Sequence, residues 1–114
     1  MYDETKVDAV LAGVRHLASR PWVQSVTDHF ASYFDELGLS ITVAENASDS
    51  DIISLRNEIA VFLESSVPQT EDSFKWIVSF GRAGQTVDVI SPGCGRRGPG
   101  ERLPMLGKHS EFDG

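Results

Sequence analysis

The chain has 114 residues, 40% of them hydrophobic and 24% charged, with a formal net charge of −7. That length suits one domain able to bury a core without staples, and the composition is unlike that of a wholly disordered chain. The acid surplus disfavours phosphate backbones and anionic lipid, and the lone Cys94 excludes an intramolecular disulfide.

The first residues, MYDETKVDAV, are acidic and do not read as a secretory signal. No stretch approaches the run of about 18 apolar residues that a membrane span requires. A cytoplasmic protein that binds neither nucleic acid nor membrane is therefore expected.

Thr5-x-x-Asp8 resembles a capping box. After it, Val7, Val10, Leu11, Val14, Leu17 and Ala18 recur with helical spacing, which predicts a first amphipathic helix. Pro21 suits the first turn of a second helix, whose buried stripe would be Trp22, Val26, Phe30, Tyr33, Phe34 and Leu37, stopped by Gly38. Leu39, Ile41 and Val43 alternate with Ser40, Thr42 and Ala44 and predict a strand.

The polar run Glu45–Asp51 reads as a loop with good capping residues. Ile52, Leu55, Ile59, Phe62 and Leu63 then keep helical spacing over 52–65, although Ile59–Leu63 alone fits a buried strand equally well. Phe74, Trp76, Val78 and Phe80 share one strand face, 81–85 turn the chain, and Val87 and Val89 return, which predicts a hairpin. The expected fold class is α+β: two N-terminal helices, a strand, a helix or strand, and a C-terminal β-hairpin, with the strands in a small antiparallel sheet.

Residues 92–114 hold six glycines and three prolines without apolar periodicity. The expected domain is therefore 1–91, followed by a flexible tail at 92–114. That tail contains Gly93-Cys94-Gly95-Arg96-Arg97-Gly98, formally a G-x-G-x-x-G. A dinucleotide site also needs a following helix, which Pro99, Gly100 and Pro104 oppose, so no cofactor is expected there. Arg96 and Arg97 would favour a Cys94 thiolate, but no base is positioned beside it.

His16, His29 and His109 show no metal-ligand spacing, and Asp49-x-Asp51 lacks the glycine and glutamate of a calcium loop. No metal site and no catalytic residue are expected.

The remaining constellation is acidic. Residues 1–74 hold four Lys/Arg against thirteen Asp/Glu, net −9. Read on a helix, Asp28 and Asp35 share a face with Glu36 beside them and Tyr33 at its apolar border, while Glu45, Asp49 and Asp51 crowd the following loop. Carboxylates around an amphipathic ring suit a docking surface for a basic protein.

The expected partner-binding residues are therefore Asp28, Tyr33, Asp35, Glu36, Glu45, Asp49 and Asp51. In size and acidity, though not by motif, the chain looks like the immunity proteins that neutralise bacterial toxins. That points to a non-enzymatic inhibitor of a basic toxin or effector. The alternatives are a chaperone for a secreted effector and, from another class, a small enzyme or ligand-binding domain with a pocket built from distant residues.

Overall fold

A computed structural model describes residues 4–31, 35–70 and 73–93. Their elements run α1 (Glu4–Leu17), β1 (Val23–Ala31), β2 (Glu36–Val43), α2 (Asp49–Ser66), β3 (Lys75–Arg82) and β4 (Gln85–Ile90). The class is α+β, with two helices and one four-stranded sheet in the order β1-β2-β3-β4.

The first helix forms as its spacing predicts, burying Val7, Val10, Val14 and Ala18. The second does not: residues 23–31 are a strand, paired antiparallel with β2 so that Val26 faces Ile41 and Phe30 faces Leu37. The physical reason is an ambiguity of period. Trp22, Val26 and Phe30 are four apart, a spacing that lies close to one helical turn and is also twice the strand repeat of two. Both conformations put these side chains on one face. The β-branched Val23, Val26 and Thr27 favour the extended one.

Gly38, expected to stop that helix, instead lies inside β2 opposite His29. Tyr33 and Phe34 lie outside the described residues.

For 52–65 the helix is the outcome. Ser48 supplies the N-cap of α2, its Oγ accepting from Asp51 N at 3.0 Å, with Asp49 and Asp51 in the positive first turn. The sheet is mixed rather than antiparallel. β2 and β3 run parallel because α2 carries the chain back between them, whereas β3 and β4 form the expected hairpin. Its two-residue turn places both Ala83 (φ 54°) and Gly84 (φ 78°) in the left-handed region, as a type I′ turn requires.

Both helices lie on one face of the sheet. Leu37, Leu39, Ile41 and Val43 of β2 and Trp76, Val78 and Phe80 of β3 point into the same core as the helical stripes. Close approach of the helices depends on Gly13, where an added Cβ would sit 2.2 Å from Cζ of Phe62.

One ion pair crosses this core. Arg56 of α2 donates from Nε to Oδ2 of Asp88 in β4 at 3.1 Å, and both side chains are buried. The other carboxylate oxygen of Asp88 accepts from the Val89 amide at 2.9 Å.

Candidate binding surface

The burial alternation of the strands, combined with their register, defines the other side of the sheet. Three rows run across it: Ser25, Thr42, Gly81 and Thr86; Thr27, Ser40, Ser79 and Val89; and His29, Gly38 and Ile77. Among the described residues no helix covers this face. Ile77 and Val89 stand on it, each 38% exposed, and the Ser40 and Ser79 hydroxyls lie 3.2 Å apart.

Gly38, Ser40 and Ser79 on the two central strands are small, and Thr27, His29, Ile77, Thr86 and Val89 around them are larger. The face is therefore hollowed, with a volume of about 340 Å³.

Charge is distributed around this face in a particular way. Among the described residues the three rows hold no Asp, Glu, Lys or Arg, in a chain of net charge −7. The next row, at the β2 N-terminal end, is Glu36 opposite Lys75, where the Lys75 amide also donates to the Asp35 carbonyl at 2.8 Å. At the other end, Glu45 is exposed in the loop that leaves β2, and exposed Asp49 and Asp51 open α2. An uncharged centre between charged ends matches an interface core and its rim in its distribution of charge.

The residues anticipated as a binding patch are thus dispersed rather than gathered. Asp35 and Glu36 are at one end of β2, and Glu45, Asp49 and Asp51 at the other. Seven strand residues separate the two groups, about 23 Å at the usual rise. Asp28 is not on a helix; it lies on the helix-covered side of β1, opposite Leu39. Its Oδ1 accepts from Arg15 Nη2 at 2.6 Å, while Arg15 Nη1 reaches the Val26 carbonyl at 3.0 Å.

Asp49 is held by Arg82 at 2.7 Å, and the same Arg82 nitrogen donates to the Ala47 carbonyl at 2.8 Å. Tyr33 is outside the described residues, as are Cys94 and the rest of the glycine motif after Gly93. The aromatic ring that the fold does place near an acidic end is Trp22. Its carbonyl accepts from Ala44 N at 2.7 Å, one residue before Glu45, and Arg20 lies 5.9 Å from its ring centre.

The uncovered face was not visible to sequence reasoning, since its rows are assembled from four separate segments. The one available signal was the pair of neutral alternations Ser40/Thr42 and Ile77/Ser79, outward positions filled without charge. A second concavity, about 550 Å³, lies between the helices and is lined by Gly13, His16, Leu17, Asn57, Glu58, Val61 and Phe62. Among the described residues no group of three or more His, Cys, Asp or Glu side chains is placed to hold a metal ion. No described helix is long and apolar enough to cross a membrane.

Fold and surface together define a two-layer α+β domain with one sheet face left open. No protein-family model, curated protein or solved structure matches this chain.

Proposed function

We propose that the chain is a non-enzymatic binding domain that docks a basic protein on its uncovered sheet face, as an immunity protein docks on a toxin. The observation that carries this reading is the uncharged three-row face of a strongly acidic chain, with carboxylates at both ends of it. Solvated sheet faces are polar on alternate positions, and here those positions carry no charge, a depletion that interface cores share.

Size supports contacts beyond the face itself. Four strands at about 4.8 Å by three rows of two residues make a footprint of roughly 400 Å². A stable partner covers about 800 Å² per side. The balance is available at the acidic ends, where Asp35, Glu36, Glu45, Asp49 and Asp51 steer a cationic surface. Steering of this kind raises association from about 10⁵–10⁶ M⁻¹s⁻¹ towards 10⁸ M⁻¹s⁻¹ at low salt.

The test begins with capture of the partner by the full chain, then association kinetics of the purified pair between about 50 and 500 mM salt. Ser40→Arg and Thr27→Arg, both at exposed positions, should weaken the complex at least about tenfold by interrupting the uncharged centre. Glu36→Lys with Glu45→Lys should slow association while leaving dissociation nearly unchanged. Binding that tolerates Ser40→Arg and Thr27→Arg would remove the face from consideration.

A second reading rests on the cleft between the helices, whose size and apolar lining suit a small apolar ligand. Val61→Trp would fill that cleft, and loss of ligand without loss of partner binding would separate the two sites.

A further inference from the structure

The uncovered face is complementary to itself. Alternation places Glu36, Gly38, Ser40 and Thr42 of β2 on it, together with Lys75, Ile77, Ser79 and Gly81 of β3. The parallel register makes these residues four neighbouring pairs: Glu36 with Lys75, Gly38 with Ile77, Ser40 with Ser79 and Thr42 with Gly81. Each pair sets an acid beside a base, a glycine beside a larger side chain, or a hydroxyl beside a hydroxyl.

Two-fold symmetry turns these neighbours into facing pairs. An axis parallel to the strands, midway between β2 and β3, lays β2 of one copy over β3 of another without changing the row. Each pair is then made twice across the interface, as isologous contact requires. Ile77 of one copy descends on Gly38 of the other, where the face is hollowed, and Thr42 descends on Gly81. Glu36 meets Lys75. β1 comes over β4, so that Thr27 meets Val89 and Ser25 meets Thr86. Two sheets stacked in this sense keep their strands aligned to within about 30°, the usual geometry of a sandwich.

Charge and area agree with this occupant. All four arginines among residues 4–93 are held by carboxylates, whereas Glu36 and Lys75 make no ion pair among the described residues. The rows between that pair and the other end carry no charge, so two acidic chains can close on each other without stranding a carboxylate. Four rows of two residues across four strands cover roughly 500 Å² on each copy, about 1,000 Å² in all, the size of a weak and reversible dimer. Edge-to-edge pairing is opposed at both outer strands, because Arg15 holds the Val26 carbonyl and Asp88 Oδ1 accepts from the Val89 amide.

We infer that the free chain pairs with a second copy of itself through the uncovered face, about a two-fold axis running between β2 and β3, in competition with a basic partner. This rests on the reading of that face as a docking surface.

The test uses the full chain carrying Cys94→Ser, so that no thiol can link two copies, in sedimentation runs up to about 1 mM. A concentration-dependent equilibrium of monomer and dimer is expected. Glu36→Lys and Lys75→Glu, each alone, replace two facing ion pairs by two like-charge contacts and should weaken the dimer at least about tenfold. Mixed in equal amounts, the two variants regain both ion pairs and should form a mixed dimer within about threefold of the parent's strength. Ile77→Ser removes the side chain that faces Gly38 and should weaken the dimer about tenfold with no change of charge.

A chain that stays monomeric at every concentration overturns the inference. So does a dimer that the two charge variants and Ile77→Ser leave unchanged, or one that mixing fails to restore. A dimer lost in Val61→Arg but kept in Glu36→Lys places the second copy on the helices and overturns it as well. The two readings fail separately. Partner binding lost in Ser40→Arg, by a chain that is always monomeric, sinks the inference alone. A dimer that obeys the charge exchange, with partner binding indifferent to Ser40→Arg and Thr27→Arg, sinks the proposed function alone.

Discussion

The Arg56–Asp88 pair is the point at which this fold can be tested most sharply. Replacing Asp88 with alanine removes the carboxylate that receives Arg56 Nε at 3.1 Å and the Val89 amide at 2.9 Å. The Arg56 side chain is 2% exposed, so its charge does not regain water, and Nη1 donates to a neutral acceptor, Asn57 Oδ1 at 2.9 Å, that does not balance it. Stranding one member of a buried pair costs about 3–5 kcal/mol.

A domain of this size has a total stability of roughly 5–13 kcal/mol, so Asp88→Ala should remove about a quarter of it or more. In urea the midpoint should fall by at least about 1.5 M at a slope of 1–2 kcal/mol per M. The double replacement Arg56→Met/Asp88→Val removes both charges and fills similar space. It should return to within about 1 kcal/mol of the parent or exceed it. If Asp88→Ala alone costs under about 1 kcal/mol, the guanidinium is not confined by this carboxylate and the assignment of the pair as a buried clip is wrong.

Two further substitutions probe backbone and packing. Ala83 sits at φ 54°, a conformation that costs a residue with a Cβ about 1–2 kcal/mol, so Ala83→Gly should stabilise the protein by about 1 kcal/mol. Thermal unfolding should shift upward by about 4–8 °C, and an unchanged or lower midpoint would contradict the type I′ assignment. Gly13→Ala gains about 1 kcal/mol of helix propensity but forces its Cβ onto the Phe62 ring, an overpacking cost of about 1–3 kcal/mol. Net destabilisation in urea is expected, with recovery in Gly13→Ala/Phe62→Leu. A Gly13→Ala variant more stable than the parent would mean that the ring swings into the neighbouring cleft.

What the sequence made legible follows from how local each signal is. The 74–90 hairpin was readable because Trp76, Val78 and Phe80 alternate without interruption and Gly84 marks the turn. The first helix was readable because Val7, Val10 and Val14 include a three-residue step, which no strand face can reproduce. Trp22, Val26 and Phe30 contain only four-residue steps, and the period alone therefore could not choose between helix and strand.

Ile59–Leu63 posed the same problem. Here Ser48 and the acids of the first turn provide the local preference for a helix that Pro21 does not provide for 23–31. The site depended on registers such as Thr27↔Ser40 and Ser79↔Val89, and the core on an ion pair joining residues 56 and 88. Such relations are set by which strands become neighbours, information that no local pattern carries.

The arginine pairs explain how an uncharged face and acidic ends come to coexist in one small domain. Arg15 ties α1 to the outer edge of β1, Arg20 ties the end of α1 to Glu58 of α2, Arg56 ties α2 to β4, and Arg82 ties β3 to the start of α2. Every one of these clips lies on the helix side or at an edge, so the four arginines are spent inside the architecture and none stands on the three central rows of the open face, with Lys75 opposite Glu36 in the row beyond them. The exposed pairs add little stability, about 0–1 kcal/mol each. Their larger consequence is placement, because acids not matched in this way, Glu36 and Glu45 among them, are left at the two ends of β2. Arg15 adds a second effect through the Val26 carbonyl, since a bonded edge carbonyl is not offered to another strand. Growth of the sheet at β1 is thereby discouraged, and the flat of the sheet, rather than its edge, is left as the surface on which another chain can settle.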